Sequence, residues 1–222
     1  TRGEPAAPCE FGDYAAVLAE DAERENQDRT AAARDYWCEQ LGALPEAVSF
    51  SERVAPISAT FLRHSAAFPP ALWQALNQLA EANKLGWPDL LLAALSAQLR
   101  QVSGSAAQVF GLMVMNRMGS ASFNVPCMQM NIAPLCLDLS DQANLLEAAQ
   151  SIGKLRRSSR KHQYYRYESL RRDLARVGGE QRLFGPLINI MPFDRPQTFG
   201  DCPARTLSLS AGPVEDLTLE VH

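Results

Sequence analysis

The strongest apolar periodicity lies in the middle of the chain. Leu72, Trp73, Leu76, Leu79 and Ala80 fall at helical spacing after Pro69-Pro70, so a helix is expected from Ala71. A second helix is expected after Trp87-Pro88-Asp89, running through Leu90, Leu91, Leu92, Ala94, Leu95 and Leu99 to a stop at Gly104. It is apolar on most sides, which predicts burial. Short apolar runs bounded by turn residues read as strands. These are Gln108–Val114, Met128–Leu137 with an interruption at Pro134, Leu187–Phe193, Thr206–Ser210 and Leu217–Val221, with Thr60–Ala66 a weaker candidate. Phe11–Gln40 reads as helical, anchored by Tyr14, Val17, Leu18, Ala22, Tyr36, Trp37 and Leu41 and closed by Gly42 and Pro45. Leu145–Arg176 reads as one long helix with a break near Gly153. Leu155, His162, Tyr165, Leu170 and Leu174 give it a loose apolar stripe, while Asn116–Cys127 is irregular. Helices alternating with buried strands indicate an α/β fold.

Composition narrows the partners more than the fold. The 222 residues are 46% hydrophobic and 21% charged, ordinary for a globular protein and enough for one large or two small domains. A net charge of −4 disfavours nucleic acid as the main partner. The charge is uneven. Lys154 to Arg182 holds ten basic and three acidic residues, leaving 11 basic and 22 acidic in the rest. A basic patch on an acidic protein favours an acidic or phosphorylated partner, although a solvated helix face is the plainer reading. Five cysteines without a C-x-x-C pair offer no zinc or thioredoxin-like site and fit reduced cytosolic thiols. No apolar run approaches the ~18 residues of a membrane span. Without an initiator Met, and closing inside an alternating strand pattern, the chain is expected to be cut from something larger.

Four motifs in order carry a family resemblance. Phe11-Gly12-Asp13-Tyr14-Ala15 resembles Y-x-D-[FY]-A, and Tyr36-Trp37 with Leu41 follows it. Met130-Asn131-Ile132-Ala133-Pro134-Leu135 resembles F-V-N-T-x-P-L. His162-Gln163-Tyr164-Tyr165-Arg166-Tyr167-Glu168 resembles [HN]-Q-D-[YV]-P-F-E, with Tyr164 where Asp is usual and Arg166 where Pro is usual. Arg182-Leu183-Phe184-Gly185-Pro186-Leu187 stands where R-N-P-L is usual, and Ser210 to Leu217 also has a counterpart. Together they resemble the condensation domain of nonribosomal peptide synthetases, nearest to the enterobactin-synthetase type. The resemblance implies a chloramphenicol-acetyltransferase-like fold. That is a two-layer α/β sandwich of which this chain is one lobe, a mixed sheet with packed helices. Residues 1–47 would be a lobe-crossover helical segment and 48–222 the C-terminal lobe.

The complete family joins an acyl or peptidyl thioester on one carrier protein to an aminoacyl thioester on another, in siderophore or other peptide biosynthesis. Its H-H-x-x-x-D-G motif is absent here, since His64, His162 and His222 are the only histidines. The parent domain would be an acyl or peptidyl transferase, and the isolated chain is expected to be inactive. No catalytic residue and no metal site are assigned. The motif positions expected to line or support a channel are Asn131, Arg117, His162, Gln163, Glu168 and Pro186. For Asn131 a tie between a strand end and a loop is favoured over substrate contact. For Arg117 a buried ion pair is favoured, for His162 a packed or capping role, and for Gln163 and Glu168 bonds to backbone. Arg156, Arg157, Arg160 and Lys161 are expected to form part of a carrier-docking surface. The chain itself is expected to bind no cofactor, the substrates being carried on phosphopantetheine. Expected partners are the N-terminal lobe, peptidyl carrier proteins and neighbouring synthetase domains, with neither nucleic acid nor membrane. A non-catalytic docking or scaffolding lobe, or an epimerization domain of the same fold, are the alternatives.

Overall fold

A computed structural model describes residues 9–25, 28–42, 47–51, 62–142, 144–175, 182–191, 197–204 and 216–222. Its helices are α1 (Tyr14–Glu25), α2 (Asp28–Gly42), α3 (Pro70–Ala82), α4 (Trp87–Ser103), α5 (Leu145–Ser159) and α6 (Tyr167–Asp173). Its strands are β1 (Ala107–Val114), β2 (Asn131–Asp138), β3 (Leu187–Ile190), β4 (Gln197–Phe199), β5 (Cys202–Ala204) and β6 (Thr218–Val221). A mixed four-stranded sheet runs in the order β2-β1-β3-β6. β1 and β2 are antiparallel, with Val114 opposite Asn131, whereas β1–β3 and β3–β6 are parallel. The α/β architecture with a mixed sheet and packed helices is the one expected.

One face of the sheet is covered by α4 and α5. Leu90, Leu92 and Leu99 of α4 and Ile152 of α5 are fully buried against Phe110, Leu135, Leu137 and Ile188. Each such side chain contributes roughly 1.5–3 kcal/mol of burial. That outweighs the missing side-chain cap on α4, whose start is held instead by Asp89 accepting from the Gly86 N–H at 3.2 Å. A second cluster joins Trp37 and Leu41 of α2, Leu170 of α6, Val109, Ala133, Leu183 and Phe184. The Phe184 ring lies where a Cβ on Gly111 would be, 2.8 Å from its atoms, so β1 needs glycine there.

Several expectations are corrected. Within Phe11–Gln40, α1 and α2 are helical as expected, residues 11–13 are not, and residues 26 and 27 lie outside the described ones. Pro134 does not interrupt β2, because β2 is an edge strand and a proline can sit where no partner needs its N–H. The long helix breaks after Ser159, not at Gly153, and resumes at Tyr167. Gly153 serves contact instead: a Cβ there would lie 3.2 Å from Asp89 Oδ2 and 3.3 Å from Arg157 Nη1. Residues 62–66 form no strand, and residues 60 and 61 lie outside the described ones, as do Thr206–Ser210. The β4–β5 hairpin was not foreseen, although Gly200-Asp201 is its turn signal.

Candidate functional site

Where β1 and β2 part, the chain becomes two-faced. Met115 is exposed and Asn116 buried; across the hairpin Met128 is exposed, Gln129 buried, Met130 exposed and Asn131 buried. The methionines thus face outward and the amides inward on both sides of the hairpin end. The loop between is stapled from within. Arg117 Nη1 donates to the carbonyls of Ser122 at 2.6 Å and Val125 at 2.7 Å, and Nη2 donates to that of Cys127. The guanidinium thus binds carbonyls, not the carboxylate partner expected for it, among the described residues. Helix α1 clamps the loop from outside. Glu20 accepts from Ser120 Oγ at 2.9 Å and the Ala121 N–H at 2.7 Å, and Asp21 accepts from Gln129 Nε2 at 3.2 Å.

The amide face meets the turn between α5 and α6. Asn131 Nδ2 donates to the carbonyls of Gln163 and Tyr165, both at 2.8 Å, and its Oδ1 accepts from the Tyr167 N–H at 3.1 Å. Asn116 Nδ2 donates to the same Gln163 carbonyl at 3.3 Å. His162 packs rather than caps. Its ring stacks on Tyr36 at 4.0 Å, and its carbonyl accepts from Trp37 Nε1 at 2.9 Å. Lost solvation, helped by the neighbouring Lys161 charge, holds the imidazole below its ordinary pKa. Burial pushes the Cys136 thiol up to about 12. Burial, then a hydrogen bond to the Asp173 carboxylate, pushes Tyr165 up to about 12.

Tyr164 and Arg166, which stand where the motif usually has Asp and Pro, both meet α1. The Arg24 guanidinium lies over the Tyr164 ring, 4.3 Å from its centroid, and Arg166 sits 3.9 Å from Asp21. These contacts join helix and turn.

Two clefts flank the turn. The larger, about 490 Å³, lies between α1, α2, the hairpin end and the turn; Asn116, Gln129, Asn131, Lys161, Tyr164 and Arg166 are among its walls. The smaller, about 380 Å³, has Leu112, Val114, Ile188 and Ile190 of the sheet on one side and Arg157 and Arg160 on another. Of the four cations expected to act together, Arg156, Arg157 and Arg160 line the smaller cleft. Arg156 is bonded at 2.5 Å to Asp89, itself only 4% exposed, while Lys161 belongs to the larger cleft. The Pro186 carbonyl accepts from the Gly111 N–H at 3.0 Å, the Gln163 side chain lines the smaller cleft, and Glu168 is exposed in the first turn of α6. None of the three histidines lines either cleft, and no cluster able to hold a metal exists among the described residues. What the arrangement supplies is binding and position. Asn116 was missed by the sequence reading; its signal was an Asn-Arg pair after a strand, where a left-handed residue often turns the chain.

The fold and these motifs are those of a known family. The Condensation domain family model matches residues 1–215, and the chain belongs to that family. The dimodular nonribosomal peptide synthase of Bacillus subtilis (strain 168) is 39% identical over 221 residues, covering 100% of this chain and 9% of that protein. Enterobactin synthase component F of Escherichia coli (strain K12) is 31% identical, covering 98% of this chain and 17% of that protein. Among solved structures, the starter condensation domain of rhizomide synthetase, in complex with C8-CoA and Leu-SNAC, is similar with a TM-score of 0.85 at 32% identity. The first condensation domain of the calcium-dependent antibiotic synthetase has a TM-score of 0.87 at 28% identity. Both likenesses cover 98% of this chain but only 49% and 48% of the other. No described helix is long and apolar enough to cross a membrane.

Proposed function

We propose that this chain is the C-terminal lobe of a condensation domain that forms an amide bond between two carrier-bound thioesters. Residues 1–47 form the crossover segment and 48–222 the lobe. The observation that carries the reading is the half coverage: 98% of the chain superposes on 48–49% of condensation domains. In the reaction the amine of the aminoacyl acceptor attacks the donor thioester carbonyl. A C–N bond forms, the C–S bond breaks, the amine loses a proton, and the donor's phosphopantetheine leaves as a thiol. The family assigns the proton chemistry mainly to the second His of the H-H-x-x-x-D-G motif, which the upstream lobe would contribute. This chain's part is positional: one wall of the channel, held at the hairpin end, and part of the carrier surface. Arg157 and Arg160 on the smaller cleft and Lys161 on the larger are the carrier-facing cations, whereas Arg156 is bound to Asp89. The similarity to enterobactin synthase component F supports a siderophore or related peptide product, made in the cytoplasm with neighbouring synthetase domains.

A second reading, a lobe that only docks carriers, draws on the absence of histidine from both clefts. One experiment separates the two. Carrier-bound thioesters are supplied to this chain alone and to this chain joined to a lobe bearing H-H-x-x-x-D-G, and the amide is followed by mass spectrometry. Product from the joined protein only is expected. Turnover by the chain alone refutes the assignment of catalysis to the missing motif, and none from the joined protein leaves the docking reading.

A further inference from the structure

We propose that Asn116 is a positioning residue, tying the β1 side of the hairpin end to the α5–α6 turn and so fixing the methionine face during amide-bond formation. The proposal rests on the condensation reading above.

Three features of this one residue are costly unless they serve something. Its backbone is left-handed, with φ 51°, a conformation few side chains adopt but which asparagine tolerates. It is only 6% exposed. Its Oδ1 is buried without a hydrogen-bond partner among the described residues. The amide cannot simply be turned over, because the Gln163 carbonyl can only accept, so Nδ2 must face it and Oδ1 is left alone. Glycine would suit the backbone with no lone acceptor, and an apolar side chain would fill the space. Neither donates to Gln163. The donor is therefore what the side chain adds.

That donor is not needed merely to satisfy the carbonyl, which Asn131 already serves at 2.8 Å. Its effect is geometric. Asn131 opens β2 and Asn116 follows β1, so the two amides bring both sides of the hairpin to one oxygen. With Asn131 alone, the β1 side has no bond to the turn among the described residues, and the clamp by Glu20 and Asp21 reaches only residues 120, 121 and 129, so the β1 side is left to pivot. Met115, Met128 and Met130, on the opposite face, move with any pivot. Small misplacements of a channel wall lower turnover more than binding.

The test uses the complete condensation domain, lobe and upstream lobe together. Asn116→Gly keeps the left-handed backbone and removes the donor. Asn116→Asp keeps the shape but sets an acceptor against the Gln163 carbonyl. Both are expected to lower kcat about tenfold, with KM for the carrier-bound substrates unchanged. The Asn116→Gly melting midpoint is expected to stay within about 2 °C of the parent. Amides of residues 115–130 should exchange faster with deuterium while those of α4 do not. Parental kcat and exchange in Asn116→Gly would reduce the residue to a backbone role and overturn the proposal. So would a loss of activity matched by faster exchange throughout the sheet. If the parental domain forms no amide, the condensation reading fails, and selective exchange at 115–130 still decides the tie.

Discussion

His162 shows how one side chain can be conspicuous in sequence and modest in chemistry. It heads the motif that resembles the family's, yet its ring is spent on the stack with Tyr36 and lines neither cleft. Because lost solvation lowers its pKa on folding, the unfolded chain binds its proton more readily. Its contribution to stability is complete above the unfolded value of about 6.5 and is lost as pH falls through that value towards the lower folded one. His162→Phe keeps a ring against Tyr36 and cannot titrate. Its melting midpoint should fall less between pH 7.5 and 5.5 than that of the parent chain. Parallel pH curves for the two would show that the stack carries no proton linkage.

At the scale of elements, α5 and the residue that follows it hold two kinds of cation that sequence could not tell apart. Arg156 neutralises a carboxylate that α4 needs at its first turn, and Gly153 lets that carboxylate approach. Arg156→Glu would leave Asp89 buried against a like charge and should cost about 3 kcal/mol, read as a lower urea midpoint. Arg157→Glu with Arg160→Glu, both exposed, should leave that midpoint within about 0.5 kcal/mol of the parent. The same pair should weaken carrier association at low salt, with the difference fading as salt is raised. Equal destabilisation by both sets would erase the distinction. Period and punctuation made α3, α4, β1 and β6 legible in the chain, since proline starts, the Gly104 stop, the apolar run of β1 and the alternation of β6 act locally. The break after Ser159 was not legible. It is made by Asn116, Asn131 and Trp37 bonding to the turn, and those residues are distant in sequence. Edge placement, which makes Pro134 acceptable in β2, is likewise a property of the sheet. The motif pointed to Asn131, but not to the loop clamp by Glu20 and Asp21, whose spacing resembles any solvated helix face.

For the molecule as a whole, the exposed face of the hairpin end sets the main expectation. Met115, Met118, Phe123, Met128 and Met130 are all at least 43% exposed, a concentration of apolar surface on a backbone that is firmly held. Surfaces of this kind are usually covered by a partner, and methionine adapts to what covers it. Half coverage of the matched condensation domains makes the upstream lobe the proposed cover. The chain alone should therefore self-associate, with a weight-average sedimentation coefficient that rises over a concentration series, and Met128→Glu should suppress the rise. A monodisperse species at all concentrations would show that the face needs no cover.

The attachment of α1 and α2 bears on the order in which the chain assembles. Their side-chain ties run to residues far along the chain: Glu20 to Ser120, Asp21 to Gln129, Arg34 to Asp173, and Trp37 to the His162 carbonyl, 125 positions away. Closing loops of that length costs conformational entropy before any contact repays it. The sheet with α4 and α5 is therefore expected to form first, and a slower change in Trp37 than in Trp73 and Trp87 fluorescence on refolding would bear this out. Of the three tryptophans, Trp73 and Trp87 pack on each other in α3 and α4, so their environment is set by local contacts. Trp37 alone reports the late docking. Helices α1 and α2, made before the sheet, would settle only after it.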